Sequence, residues 1–215
     1  MSVKRNIQLV GTVERKSRQK AALRENILEA AGRIVAREGF ANLTMRRLAD
    51  AIDYSPASLY LHFGSRDDIA WELCFQGYRQ LLDSLLPCAG IVDPLARLQA
   101  IGEGYVRFGM ENVETYRLIF MEDPRYTTSV ITRRDVNSDV PGAKTFSMVV
   151  GAFAQLKNQD RIAKDLDSRL LAEAFWSAIH GIVSLKITCP QYPAHDAGQL
   201  ARTQLKFFLA GLVNS

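Results

Sequence analysis

Apolar residues early in the chain recur at offsets of three and four: Leu23, Ile27, Ala30, Ala31, Ile34 and Val35. That spacing gathers them on one face of a helix, and Gly39 supplies a C-cap where the pattern stops. The same face can cover Leu43, Leu48, Ala49, Ile52 and Leu59, which predicts a small three-helix core. Further on, Leu95, Leu98, Ile101, Tyr105, Val106 and Phe108 predict one helix, Tyr116, Leu118, Ile119 and Phe120 a shorter one, and Phe146, Val149, Val150, Phe153 and Leu156 another. Pro87, Pro94, Pro124 and Pro141 punctuate these segments. The interval from Asp123 to Gly142 is polar, weakly periodic and longer than a usual helix connection, so it reads as a mobile loop, with or without a short helix. No alternating run argues for a sheet. The fold class is therefore all-α, with a small three-helix head followed by a larger helical domain.

Three helix starts fall between Leu43 and Ile69. Thr44 is placed to cap the first, with Leu43 and Leu48 as its hydrophobic staple. Ser55 followed by Pro56 marks the second, because proline at the first helical position loses no useful hydrogen bond. Asp53 sits in the turn between them, where a left-handed backbone is expected and Asp tolerates it better than most residues. Ser65 and Asp68 form a capping-box-like pair that starts the next helix, running on through Trp71 and Leu73. This is the spacing of a helix-turn-helix feeding a further helix. Its core would hold the helix from Pro56 to Phe63 rigidly outward.

The segment from Arg18 to Leu73 resembles the N-terminal DNA-binding domain of the TetR family of bacterial transcriptional regulators. The resemblance rests on Ala30, Ala31, the run Phe40-Ala41-Asn42-Leu43-Thr44, Ile52, Ser55, Leu59-Tyr60, Phe63, Ser65 and Ile69 in one register. Two positions depart from the family habit. Asp53 stands where glycine is usual, and Arg66 stands where lysine is usual, which would allow a bidentate contact instead of a point charge. The resemblance implies that the helix starting at Pro56 enters the major groove while flanking helix starts grip phosphates. By position, Arg46, Ala57 and Ser58 are then candidates for base contact, Arg46 for a guanine. Thr44, Tyr60, His62 and Arg66 become backbone contacts. Ser55 belongs to the same candidate surface, and for Thr44 and Ser55 simple capping is an equal reading that does not exclude contact. Tyr60 divides between core and phosphate, and His62 has no partner at metal-ligating spacing.

Charge placement agrees with a nucleic-acid partner. The 215 residues carry a net charge of +4. Residues 1–66 hold 12 Lys or Arg against 6 Asp or Glu, whereas the remainder holds 15 against 17. Positive charge in the head favours a polyanion through counterion release, although a solvated surface would look the same. Lys4, Arg5, Arg15, Lys16, Arg18 and Lys20 lie in a basic stretch without clear apolar period, which reads as a flexible arm able to reach phosphates or a minor groove, or as an ordinary loose terminus. The expected organisation is an arm over 1–17, a helix-turn-helix domain over 18–66, and a helical domain for effector binding and dimerisation over 67–215.

Two wide stripes close the chain. Leu170, Leu171, Ala174, Phe175, Ala178, Ile179, Ile182 and Val183 form one, and Leu200, Leu205, Phe208, Leu209, Leu212 and Val213 the other. Two such helices suit a bundle shared between two copies, so a homodimer through the last two helices is expected. Within FWSAIHGIVSL, residues Trp176, His180 and Gly181 are similar to a Trp-His-Gly signature found in one branch of the same family, with Gly181 permitting close helix approach. The family resemblance implies repression from a palindromic double-stranded DNA operator, relieved by a small-molecule effector. Tyr105, Phe108, Phe120, Phe146, Phe153, Trp176 and His180 are candidates for lining its pocket, with ordinary core packing the competing reading for each.

Other classes find little support. Cys74, Cys88 and Cys189 are odd in number and widely spaced, so they indicate neither a disulfide scaffold nor a zinc site and suit a reduced cytoplasm. The start of the chain lacks a signal-peptide core, and no segment reads as a membrane span, so no membrane partner is expected. No nucleophile-base pair, phosphate loop or metal-ligand cluster suggests an enzyme, and no cofactor is expected. An architectural DNA-binding protein is the nearer alternative, but it would not need so large a second half.

Overall fold

The computed structural model describes residues 2–126, 140–192 and 194–213, which form helices and turns with no strand among them. The helices are α1 (Ser2–Glu38), α2 (Met45–Ala51), α3 (Pro56–Tyr60), α4 (Arg66–Leu85), α5 (Pro94–Glu111), α6 (Val113–Phe120), α7 (Pro141–Asn158), α8 (Ser168–Thr188) and α9 (Ala197–Val213). They divide into two compact units, Met1–Cys74 and Phe75–Ser215, so α4 begins in one and ends in the other.

In the first unit, Ile27, Ala30, Ala31 and Val35 of α1 are buried together with Leu43, Leu48, Ala49 and Leu59. Full burial of each large aliphatic side chain contributes about 1.5–3 kcal/mol. Gly39, at φ 78°, turns the chain out of α1 in a backbone region that a side chain would disfavour. Thr44 Oγ1 accepts from the Arg47 amide at 3.2 Å, and Ser65 Oγ accepts from the Asp68 amide at 3.1 Å. Asp53 takes φ 57°, the left-handed turn expected of it.

Two expectations for this unit are corrected. Residues 1–17 were expected to form a flexible arm, yet α1 begins at Ser2. No proline interrupts the segment, and once the buried part of α1 has nucleated, each further turn costs little. The helix starting at Pro56 also ends sooner than the expected Phe63. It closes at Tyr60, where the His62 and Phe63 amides both reach back to the Leu59 carbonyl, at 2.9 and 3.0 Å. The tightened last turn leaves Phe63 buried.

The second unit is arranged about α5, which packs on α7, α8 and α9. Glycines permit that approach. A Cβ on Gly102 would stand 2.7 Å from Leu205 Cδ1, and one on Gly109 would stand 2.5 Å from Val183 Cγ1. Asp93 caps α5 by accepting from the Ala96 amide at 2.8 Å, and Arg161 beside it holds its carboxyl below the usual carboxylate range. Most of the Asp123–Gly142 interval lies outside the described residues, although α7 already begins at Pro141.

The expectation that no segment could span a membrane also needs correction. α8 is 21 residues long, with a mean hydropathy of 1.3 over its most apolar stretch, enough by length and composition alone. Its apolar character has a use within the unit, because Phe175, Ile179 and Val183 are buried there. Cys74 is buried, Cys88 half-buried with its thiol pushed up by burial, and Cys189 exposed. Among the described residues no cluster of His, Cys, Asp and Glu could hold a metal.

Candidate functional site

Two arrangements stand out, one in each unit. In the first, α3 is anchored from beneath by Leu59 and Phe63, both buried, while Ser55, Pro56, Ala57 and Tyr60 are exposed and Ser58 is half-buried. Ser55 Oγ accepts from the Ser58 amide at 3.2 Å and lies 2.9 Å from Ser58 Oγ. The cap therefore fixes the direction of α3 with groups that also face solvent. Thr44 and Arg46 are exposed at the start of α2. The neighbouring Arg47 is engaged in an ion pair with Glu38.

His62 and Arg66 are less accessible than their neighbours. His62 is half-buried, with Nδ1 enclosed and without a hydrogen-bond partner among the described residues. Burial, then the charges of Lys20 and Arg24, lower its pKa and keep the ring neutral near pH 7. An outside partner is left the Nε2 edge. Arg66 turns toward its own unit, where Nη1 lies 3.4 Å from the carbonyls of both Phe40 and Leu43, and Nε lies 3.2 Å from Asp67 Oδ1. It ties the loop before α2 to the start of α4. Arg24 does similar work, bonding Glu72 at 2.8 Å and lying 4.2 Å over the Phe63 ring.

In the second unit a cavity of about 50 Å³ opens among α4, α5, α6, α7 and α8. Four of the expected aromatics line it: Tyr105, Phe120, Phe146 and Trp176. Phe108 and Phe153 do not. Phe108 is buried elsewhere in the core, and Phe153 packs edge-on against Phe175 and Phe208. His180 stands behind the wall. Trp176 Nε1 donates to Tyr105 Oη at 3.0 Å, Tyr105 Oη lies 3.0 Å from Tyr116 Oη, and Tyr116 Oη lies 2.6 Å from His180 Nδ1. An indole can only donate, which fixes Tyr105 Oη as the acceptor from Trp176, and a neutral His180 with Nδ1 unprotonated lets the two phenols donate onward toward it. Burial lowers the His180 pKa and favours the neutral ring, whose Nδ1 also lies 3.3 Å from Tyr105 Oη.

This network consumes the polar groups beside the cavity and leaves an apolar lining. Tyr78, Leu81 and Leu85 of α4 complete one side of it and were not anticipated. Their offsets of three and four were legible as a continuation of the helix beyond Leu73. Tyr116, the centre of the network, carried no local signal, since its partners lie 11 and 64 residues away.

Residues 27–73 match the family model described as bacterial regulatory proteins, tetR family, and residues 98–208 match a tetracyclin repressor-like C-terminal domain. The chain belongs to the TetR family. Its described residues share the fold of several solved structures. One, a protein of unknown function from Rhodococcus sp. RHA1, is 20% identical with a TM-score of 0.70, over 89% of this chain and 95% of that one. The ketosteroid transcriptional regulator KstR2 of Mycobacterium tuberculosis is 22% identical with a TM-score of 0.62, over 89% and 95%. AibR, in complex with isovaleryl coenzyme A and operator DNA, is 17% identical with a TM-score of 0.59, over 86% and 96%. No curated protein matches the sequence. As a TetR-family member the chain is a DNA-binding transcriptional regulator.

Proposed function

We propose that this TetR-family chain acts as a homodimer on a palindromic operator and is released from it by a small apolar or amphipathic effector. The observation that carries the DNA half is the outward face of α3, held from below by Leu59 and Phe63 and flanked by exposed Arg46. Ala57, Ser58 and Arg46 face base edges in this reading, and Thr44, Ser55 and Tyr60 meet phosphates. His62 contributes only its outer edge. Arg66 acts chiefly by fixing the loop before α2, and a phosphate contact would require it to leave those carbonyls.

The dimer is supported by what α8 and α9 leave uncovered. Leu170 and Leu185 of α8 are 63% and 44% exposed, and Phe207 and Val213 of α9 are 70% and 46% exposed. Each helix thus carries an inner apolar stripe for its own unit and an outer one for a second copy. Paired heads would demand two half-sites related by two-fold symmetry.

The effector reading rests on the apolar cavity behind Tyr105 and Trp176. An acyl chain suits such a lining, and the coenzyme A thioester bound by AibR is one member of that class. To relieve repression, the ligand must favour a conformation whose head spacing mismatches the operator, since equal affinity for both states shifts nothing.

The test is selection of bound fragments from the source genome with purified protein, followed by titration of acyl thioesters and other apolar ligands against the recovered complex. A single palindrome released by one ligand class supports the whole reading. Uniform coating of DNA would favour an architectural role, and a complex that no ligand releases would remove the effector half.

A further inference from the structure

We infer that the outer face of α3 reads thymine methyl groups, with Leu61 as the residue that sets this preference; the inference rests on the DNA-binding reading above. Leu61 caps α3 at φ −73° and ψ −13°, so it continues the helical path. It lies four residues beyond Ala57 and therefore on the same side, opposite buried Leu59. Its side chain is 76% exposed, beside Tyr60 at 54%, with Tyr54 just before the helix at 46%.

This face offers methyl groups where a reading helix would commonly offer hydrogen bonds. The α3 hydroxyls of Ser55 and Ser58 are engaged with each other and with the cap. Ala57 and Leu61 have no side-chain polar atom at all. An apolar face on a head whose first 66 residues carry 12 Lys or Arg against 6 Asp or Glu must still suit a polyanion. In the major groove of a duplex, the apolar group presented at base edges is the C5 methyl of thymine. Leu61 and Ala57 are matched to that group in chemistry, while the Arg46 guanidinium on α2 supplies hydrogen bonds to other bases. Leu61 is thus a specificity determinant and not part of the head's core.

The experiment uses the full chain and a duplex recovered by selection from random sequence, synthesised once with thymine and once with uracil. Uracil lacks only the methyl group. The thymine duplex should bind more tightly by roughly fourfold for each methyl buried. In Leu61→Ala the ratio of thymine to uracil affinity should fall toward one, with the uracil duplex bound as by the parent chain and the melting temperature unchanged. Equal binding of both duplexes by the parent chain, or a ratio that survives Leu61→Ala, overturns the inference while leaving DNA binding intact. Failure to recover any duplex would overturn the DNA-binding reading and this inference together.

Discussion

Tyr116 Oη lies 2.6 Å from His180 Nδ1, joining α6 to α8 across 64 residues of sequence at the back of the cavity. With the ring neutral and Nδ1 unprotonated the phenol donates to it, whereas a protonated ring would have to donate to the phenol oxygen and reverse the order of donors along the network. Burial of the ring, which disfavours its charged form, makes the second unit sensitive to acid.

His180 is held below the ordinary imidazole value of 6.5 by burial. Below pH 6.5 the unfolded chain takes up a proton that the folded chain refuses, so the stabilisation is complete above 6.5 and is lost as pH falls toward the folded value. The melting temperature should decline over that window. His180→Gln, which can accept from Tyr116 but cannot titrate, should flatten the decline. His62, lowered in the same direction in the other unit, should leave a residual slope that His62→Gln removes.

Tyr116→Phe should destabilise the second unit by about 1–2 kcal/mol, because it removes the shorter of the two phenol contacts to His180 Nδ1, leaving Tyr105 Oη at 3.3 Å, and removes a partner of Tyr105. Urea denaturation followed by Trp176 fluorescence would measure the loss. A midpoint unchanged from the parent chain would mean that the network contributes nothing net.

Helix capping should control α2 through Thr44 and α3 through Ser55, each locally. Ser55→Ala and Thr44→Ala should each cost about 1 kcal/mol, and Ser55→Gly only a few tenths. Hydrogen exchange resolved to α2 and α3 is the suitable readout, since the two compact units need not unfold together.

Glycines should separate by their surroundings. Gly109→Ala would place a methyl 2.5 Å from Val183 Cγ1 and 2.9 Å from Tyr116 Cδ2, costing about 1–3 kcal/mol in thermal melts. Among the described residues nothing lies within 4 Å of a Cβ placed at Gly181. Gly181→Leu should therefore leave the subunit's fold intact and shift sedimentation equilibrium from dimer toward monomer.

Filling the cavity should separate ligand binding from DNA binding. Val149 lines it, so Val149→Trp should abolish uptake of the neutral dye N-phenylnaphthylamine. Duplex DNA should be bound as before. Retained dye binding would place the dye outside this cavity.

Sequence alone determined the local punctuation of this protein: the Gly39 exit, the Thr44, Ser55 and Ser65 caps, the left-handed Asp53 and the helical stripes. Each depends on partners three or four residues away, where helix geometry fixes who meets whom. Tertiary structure decided the rest. It turned Arg66 onto carbonyls 26 and 23 residues distant, placed Phe153 in the core and Phe146 at the cavity, and joined Tyr116 to His180. Those choices follow from which helices pack together and how closely their glycines let them approach, so aromatics with similar spacing along their helices reached different fates.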